Sequence, residues 1–378
     1  YFDKDIEDIT IAEAALVAGL VQRPSGFDPY RFPDEAEERR KLVLERMLVN
    51  EFITDEEYRE ALLQPVSLLV QPRSDEDLFL GEEYLGAHFV EAVKTWFLDT
   101  PPPEIVEIYP SREEREVVLF QGGLRIHTTL EPEWQQRAED IVNSIIPDDG
   151  VNPDAAVVLI DPATGRVPVM VGGRDFFGES EFARVNLAMG TGRQAGSSMK
   201  PVGLAAWIEG GQSVTQTYPA PSQITIDLPS LRDPWQVRGG GSGASVTMIE
   251  ATRRSMNTVF AQLMVDLGPE NFVDMAHRLG ITTDIAPVHA AILGTENTTT
   301  LDLATVYATF SNNGQHLTPT FVTRVENADG TTLWEHTPQP DTAISRETAH
   351  QLSWVLEGVI EGGTGTAAQL PDDRPAAG

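Results

Sequence analysis

Two side chains three residues apart could do chemistry together. Ser197 and Lys200 lie in the stretch Arg193-Gln194-Ala195-Gly196-Ser197-Ser198-Met199-Lys200-Pro201. On a helix that spacing places both on one face, within mutual reach. A serine hydroxyl is a weak nucleophile until a base takes its proton. An amine can be that base if burial or nearby cations lower its pKa. The pair therefore offers a nucleophile, Ser197, and its base, Lys200. Ser-x-x-Lys alone arises by chance about once in a few hundred residues at average composition, and a helix start with a solvated lysine is the competing reading. Lysine usage tips the balance. The lysines are Lys4, Lys41, Lys94 and Lys200, and the other cations are arginine. Arginine stays protonated and cannot serve as a base, whereas lysine can.

An acylating serine needs more than its base. Something must carry the proton to the leaving amine, and something must hold the acyl chain. Ser255-Met256-Asn257 offers a hydroxyl and an amide one residue apart, which a helix–loop junction could aim into the same cleft. Ser, Met, Asn and Thr together are poor helix formers, consistent with a special local geometry.

The elements that must position these groups can be read in outline. Thr10-x-x-Glu13 and Thr54-x-x-Glu57 are capping boxes in a helical region from about Ile6 to Pro65, interrupted by Pro24, Pro29 and Pro33. Leu78–Leu98 has helical apolar spacing, and Pro101-Pro102-Pro103 reads as part of a linker. Gly122–Leu130 reads as a strand after a glycine turn, and Pro132 starts a helix through Ile145. Ala155–Ile160 and Val167–Val171 form a hairpin around Asp161–Gly165. A buried helix follows Pro201. Val246–Leu267, Asn271–Leu279, Leu301–Asn312 and a helix capped by Ser345 come later. Asp329-Gly330 marks a hairpin between Phe321–Val325 and Thr332–Glu335. Gly239-Gly240-Gly241-Ser242-Gly243 matches a dinucleotide fingerprint poorly and reads as a mobile loop. Helices mixed with hairpins point to an α+β domain on an antiparallel sheet.

Bulk composition excludes several classes. The 378 residues suffice for more than one domain. A net charge of −31 argues against nucleic acid and anionic lipid as partners. Without cysteine there are no disulfides, thiolate catalysis or iron–sulfur clusters. The seven histidines are scattered, with no pair at metal-ligand spacing on a helix. No run reaches the length of a membrane span, and both ends read as cut rather than natural.

Ser-x-x-Lys followed by Ser-x-Asn resembles the transpeptidase domain of penicillin-binding proteins. Arg193–Pro201 is similar to that family's Arg-Gln-Pro-Gly-Ser-Ser-Phe-Lys-Pro, with Ala195 and Met199 as departures. Val157–Gly165, Met170–Gly173, Gly122–Leu130, Leu293-Gly294-Thr295 and Ala304–Gly314 fit as well. Ala12–Leu20 with Gln22, Pro24 and Asp28-Pro29, continued by Arg39-Arg40, resembles the end of the peptidoglycan glycosyltransferase domain. Together these indicate a class A, bifunctional member.

The resemblance implies a multidomain chain. Residues 1–70 would be the all-α tail of a lysozyme-like glycosyltransferase domain, 71–121 a linker region, and 122–378 an α+β, serine β-lactamase-like transpeptidase domain, ending before the family's Lys-Thr-Gly motif. It implies catalytic roles for Ser197, Lys200, Ser255 and Asn257, and substrate contacts for Ser198 and Asn257. Implied partners are D-Ala-D-Ala stem peptides, the lipid-linked precursor and β-lactams, with a membrane anchor outside this chain and a place on the outer face of the cytoplasmic membrane. Transpeptidation would need no cofactor; a divalent metal belongs to the glycosyltransferase half, whose glutamates this chain does not carry, since Glu13 reads as a capping residue. A serine β-lactamase or carboxypeptidase and a non-catalytic penicillin sensor or scaffold are the alternatives.

Overall fold

Both N-terminal capping boxes form. In the computed structural model, helix α1 (Ile11–Leu20) starts at Thr10, whose hydroxyl accepts from the Glu13 N–H while the Glu13 carboxylate accepts from the Thr10 N–H at 2.7 Å. Lys4 adds an ion pair to the same carboxylate at 2.8 Å, so Glu13 is fully used as a cap. Helix α2 (Pro33–Val49) follows, then α3 (Asp55–Leu62) behind the second box at Thr54, and the short α4 (Val66–Leu69). The model describes residues 1–2, 4, 6–23, 26–27, 29–30, 32–70, 84–146, 154–178, 182–229 and 232–378. Pro24, Asp28 and the stretch 71–83 lie outside that set. The chain divides into two units, Tyr1–Gly81 and Glu82–Gly378.

The first unit closes on Ala15, Leu16, Ala36, Leu44, Ile53 and Val66. Arg40 is fully buried in it and is satisfied without water. It donates to the Ala61 carbonyl at 2.9 Å and to Glu37 at 2.7 and 3.2 Å. Glu37 in turn accepts from the Val66 N–H at 2.9 Å. One ion pair thus joins α2 to the end of α3 and the start of α4, the arrangement that makes a buried charge tolerable.

The second unit begins with α5 (Ala87–Asp99), α6 (Pro103–Ile108) and α7 (Arg112–Gln121). The expected linker over 71–121 is corrected here for its helical part. Phe89, Phe97 and Ile105 are fully buried in one cluster with Val167, Met170, Phe321 and Val325. The prolines misled because Pro103 occupies the first turn of α6, where a missing N–H costs nothing. Strand β1 (Arg125–Thr128) and α8 (Pro132–Ile145) come next, then the expected hairpin of β2 (Val157–Leu159) and β3 (Val169–Val171), paired Val157 to Val171.

Beyond it the chain passes β4 (Arg193–Gln194), a 3-10 turn at Gly196–Met199, and α9 (Lys200–Glu209). Lys200 to Ile208 are all buried, so α9 has no solvent face and is the central helix. Four short strands follow: β5 (Thr217–Pro219), β6 (Gln223–Ile226), β7 (Trp235–Arg238) and β8 (Ser245–Thr247). The expected single helix over 246–267 is two, α10 (Met248–Arg253) and α11 (Asn257–Leu267). After them come α12 (Pro269–Arg278), a 3-10 turn at His289–Leu293, β9 (Asn297–Thr298), α13 (Thr300–Ser311), β10 (Gln315–His316), β11 (Val322–Glu326), β12 (Thr332–Glu335), β13 (Asp341–Thr342) and α14 (Arg346–Gly362), capped by Ser345.

Strand pairing among these elements is antiparallel throughout: β1–β11–β12 as a three-stranded sheet, and the ladders β2–β3, β4–β9, β5–β8, β6–β7 and β10–β13. The main core wraps α9 with Met248, Phe260, Leu263, Phe272, Ile292, Val306 and Leu352. The result is the α+β architecture that the helix and hairpin pattern predicted.

Candidate active site

Ser197 lies in the 3-10 turn that runs directly into α9, and Lys200 is the first residue of that helix. Ser197 is exposed and Lys200 only 2% exposed. An exposed hydroxyl therefore stands over a sealed amine. Lys200 Nζ meets four oxygens: Ser197 Oγ at 3.0 Å, Ser255 Oγ at 2.8 Å, the Ser255 carbonyl at 2.7 Å and Asn257 Oδ1 at 2.6 Å. All four residues picked out for catalysis from sequence meet at one nitrogen.

Hydrogen counting gives this cluster its chemistry. The Ser255 carbonyl and Asn257 Oδ1 can only accept, whereas the two hydroxyls can accept or donate. A neutral amine has two N–H groups and one lone pair. It satisfies both obligate acceptors and still takes a proton from one hydroxyl. An ammonium has three N–H groups and serves both acceptors plus one hydroxyl. The same geometry thus suits both protonation states, and either serine can be the hydroxyl that changes role.

Burial pushes the Lys200 amine down to about 8. Its place at the N-terminus of α9 acts in the same direction, because the positive end of a helix disfavours a cation. Oxygen acceptors and the Phe260 ring, whose centroid is 5.5 Å from Nζ, favour the charged form. No carboxylate lies within ion-pairing distance of Nζ among the described residues. Burial prevails. At a pKa near 8 the neutral fraction at neutral pH is roughly 300-fold above that of a free lysine.

Ser255 owes its position to the break between α10 and α11. The Met256 N–H bonds to the Ala251 carbonyl and the Ser255 N–H to the Thr252 carbonyl, both at 2.9 Å. That pattern is a Schellman motif with Ser255 at the left-handed position, φ +51. Glycine normally stands there, and a serine costs about 1–2 kcal/mol. The strained residue is the one whose hydroxyl and carbonyl both reach Lys200. Asn257 opens α11 and is fixed by the end of β7. Its side-chain amide donates to the Arg238 carbonyl at 3.0 Å, and its N–H to the Gly239 carbonyl at 2.7 Å. This settles which end of the amide faces Lys200.

The glycine loop read as mobile is instead tied down. Gly239 donates to Ser222, and Gly241 and Gly243 both donate to the Ala220 carbonyl. Its backbone passes so close to Asn257 that a Cβ on Gly239 would lie 2.8 Å from the amide nitrogen. Ser198 is exposed beside Ser197, and its carbonyl accepts from the Tyr307 hydroxyl at 3.4 Å. Burial pushes that phenol up to about 12, so it remains a donor.

Sequence reasoning missed several supports. Gly294, at φ +73, packs on the turn that carries Ser197. A Cβ there would lie 2.1–2.6 Å from backbone atoms of Gly196, whose N–H donates to the Gly294 carbonyl at 3.1 Å. Phe260, Tyr307 and Gly239 were likewise silent, because their roles depend on contacts across the fold. An aromatic-lined cavity of about 750 Å³ between Trp96, Phe176, Phe177 and Phe321 holds none of the four residues around Nζ.

An exposed serine 3.0 Å from a buried lysine at the head of a central helix, faced by Ser-x-Asn in an antiparallel α+β unit, is the arrangement that the resemblance to the penicillin-binding transpeptidases called for. The comparisons agree. Residues 155–377 match the penicillin binding protein transpeptidase domain family, and residues 1–48 match the transglycosylase family. The chain belongs to the penicillin-binding protein transpeptidase family. It is 28% identical to penicillin-binding protein 2D of Bacillus subtilis, covering 96% of this chain and 49% of that one. It is 31% identical to penicillin-binding protein 1A of Mycobacterium tuberculosis, covering 92% of this chain and 41% of that one. The chain therefore spans about half the length of the curated relatives it matches. The structure of PonA1 from Mycobacterium tuberculosis in complex with penicillin V is 25% identical with a TM-score of 0.61, covering 78% of this chain and 76% of that one. Penicillin-binding protein 1A of Haemophilus influenzae, at 19% identity, shares the fold with a TM-score of 0.72 over 98% of this chain and 72% of its own.

Proposed function

We propose that this chain carries the crosslinking centre of a bifunctional peptidoglycan synthase. The observation that carries the reading is the buried Lys200 amine, 3.0 Å from the exposed Ser197 hydroxyl, with its pKa pushed down to about 8. The substrate is the D-Ala-D-Ala end of a stem peptide. Ser197 Oγ forms a bond to the penultimate carbonyl carbon, and its proton passes to Lys200. The Ser197 N–H, at the open start of a helical turn, takes the developing oxyanion. Ser255, also on Lys200 Nζ, returns the proton to the departing D-alanine nitrogen as the C–N bond breaks. Asn257 holds Lys200 through Oδ1, gives one amide hydrogen to the Arg238 carbonyl and offers the other to the peptide, with Ser198 beside it. The amine of a second stem peptide then attacks the ester, and Ser197 regains its proton. A β-lactam enters the same path and stops at the ester.

Nucleophile, base and relay are all side chains, so the proposed transfer calls on no cofactor. No group of three or more carboxylate or imidazole ligands that could hold the divalent ion expected of a glycosyltransferase half stands among the described residues. The transglycosylase match over residues 1–48 favours a synthase over a free-standing β-lactamase. It also supports the lipid-linked precursor as a substrate of the whole protein, and a place at the cell envelope. No helix among the described residues is long and apolar enough to cross a membrane.

Labelling of the full-length protein with a fluorescent penicillin tests the reading. A covalent adduct on Ser197 is expected, absent in Ser197→Ala. Lys200→Arg keeps the charge and removes the base, so it should lose the adduct while remaining folded. A folded wild type that takes no label would point to a sensor or scaffold.

A further inference from the structure

Arg253 is the last residue of α10, two before Ser255. Its side chain, half-buried, lies along α14. Nε donates to the Gly358 carbonyl near the C-terminal end of α14 at 3.2 Å. Its own carbonyl accepts from the Thr364 N–H, just past that helix, at 3.1 Å. Side chain and main chain therefore fasten α10 to the same end of α14.

The α14 surface is cut to receive this arginine. A Cβ on Gly358 would lie 3.2 Å from Arg253 Cγ and Cδ, and one on Gly362 would lie 2.8 Å from Nη2. Neither glycine has a positive φ, so backbone conformation does not require them. Glycine in a helix costs roughly 0.5–1 kcal/mol relative to alanine. Space for the arginine is what the structure offers in return. The negative end of the helix dipole also lies there, which suits a guanidinium.

Immediately after this fastening comes the strained turn that puts the Ser255 carbonyl and hydroxyl 2.7 and 2.8 Å from Lys200 Nζ. We propose that Arg253 is a positioning residue for acyl transfer: by clamping the end of α10 to α14, it holds Ser255 on Lys200. This rests on the reading of Lys200 as the base. With the clamp gone the turn relaxes, Lys200 loses two of its four acceptors, and the ammonium is the form that suffers.

Two measurements on the full-length protein test this. The first is the pH profile of Ser197 acylation by a fluorescent penicillin, per folded molecule. The second is the Lys200 titration followed by NMR of 13C-labelled lysine, which reports whether or not penicillin reacts. In Arg253→Met the midpoint should move below that of the wild type in both, and acylation should fall about 10-fold or more. Arg253→Lys, keeping a donor on an aliphatic stem, should recover most of that loss. Gly358→Ala leaves α10 untouched and raises helix propensity, yet pushes on Cγ and Cδ. It should move the midpoint in the same direction without lowering thermal stability, and it carries the test if Arg253→Met does not fold. A merely structural arginine would lower the folded fraction and leave the midpoint in place. An unmoved Lys200 midpoint in the folded variants overturns the proposal. A wild type that titrates as described but takes no label overturns the acyl-transfer reading instead.

Discussion

Ser255 is where stability and chemistry pull apart. It stands at the left-handed position of a helix end, at φ +51, while both its oxygens touch Lys200. Ser255→Gly should therefore raise unfolding stability by about 1 kcal/mol, as the backbone strain is relieved. The same variant should lose most penicillin acylation, since the relay hydroxyl is gone. Denaturant unfolding and labelling on one preparation check both halves. Lys200 gives the second prediction. Its folded pKa, about 8, lies below the unfolded value of 10.5, so between those two pH values the unfolded chain binds more protons. Stability then rises with pH across that window, by up to about 3 kcal/mol from this group. Measured against Lys200→Met, which lacks the titration, wild-type stability should gain most of that margin, about 2.5 kcal/mol, between pH 7 and pH 10. Both residues were legible in the sequence, Lys200 by its spacing from Ser197 and its rarity. The left-handed turn was not, because the contact that justifies it lies 55 residues away in the chain.

At the scale of elements, the nucleophile is held by a meeting of two glycine turns. Gly196 and Gly294 both have positive φ, but their surroundings differ. A Cβ on Gly196 would meet nothing within 4 Å, whereas one on Gly294 would run into the Gly196 backbone. Gly196→Ala should cost only the backbone term, about 1–2 kcal/mol, and keep much of the labelling. Gly294→Ala should cost more and displace the turn that presents Ser197, so its labelling should fall far below that of Gly196→Ala at equal folded fraction. Chemical unfolding read beside labelling separates the two. Capping boxes, Pro132, Asp329-Gly330 and Ser345 marked their elements well, because each signal acts within four residues. Ladders such as β4–β9, two residues on each strand, left no periodicity to read.

At the scale of the whole molecule, the start of the second unit is the point that the sequence reading misplaced, at residue 122 behind a linker over 71–121. The family match begins at residue 155, yet the unit begins near residue 82. Phe89, Phe97 and Ile105 are fully buried against Val167, Met170 and Phe321. Starting the chain at Gly122 would remove roughly 5–9 kcal/mol of apolar burial, comparable to the entire margin of a typical domain. A chain starting at Tyr84 should unfold in one cooperative transition with near-native stability, and one starting at Gly122 should not; calorimetry on the two decides.

The left-handed serine between α10 and α11 also makes a historical marker. Wherever selection for acyl transfer is relaxed, drift at this position runs downhill toward glycine, since the fold gains by the exchange. A descendant that keeps serine there, against that gradient, is expected to have kept penicillin acylation. One that has moved to glycine has been released from it, and a library sorted on heat resistance alone would retrace the same step.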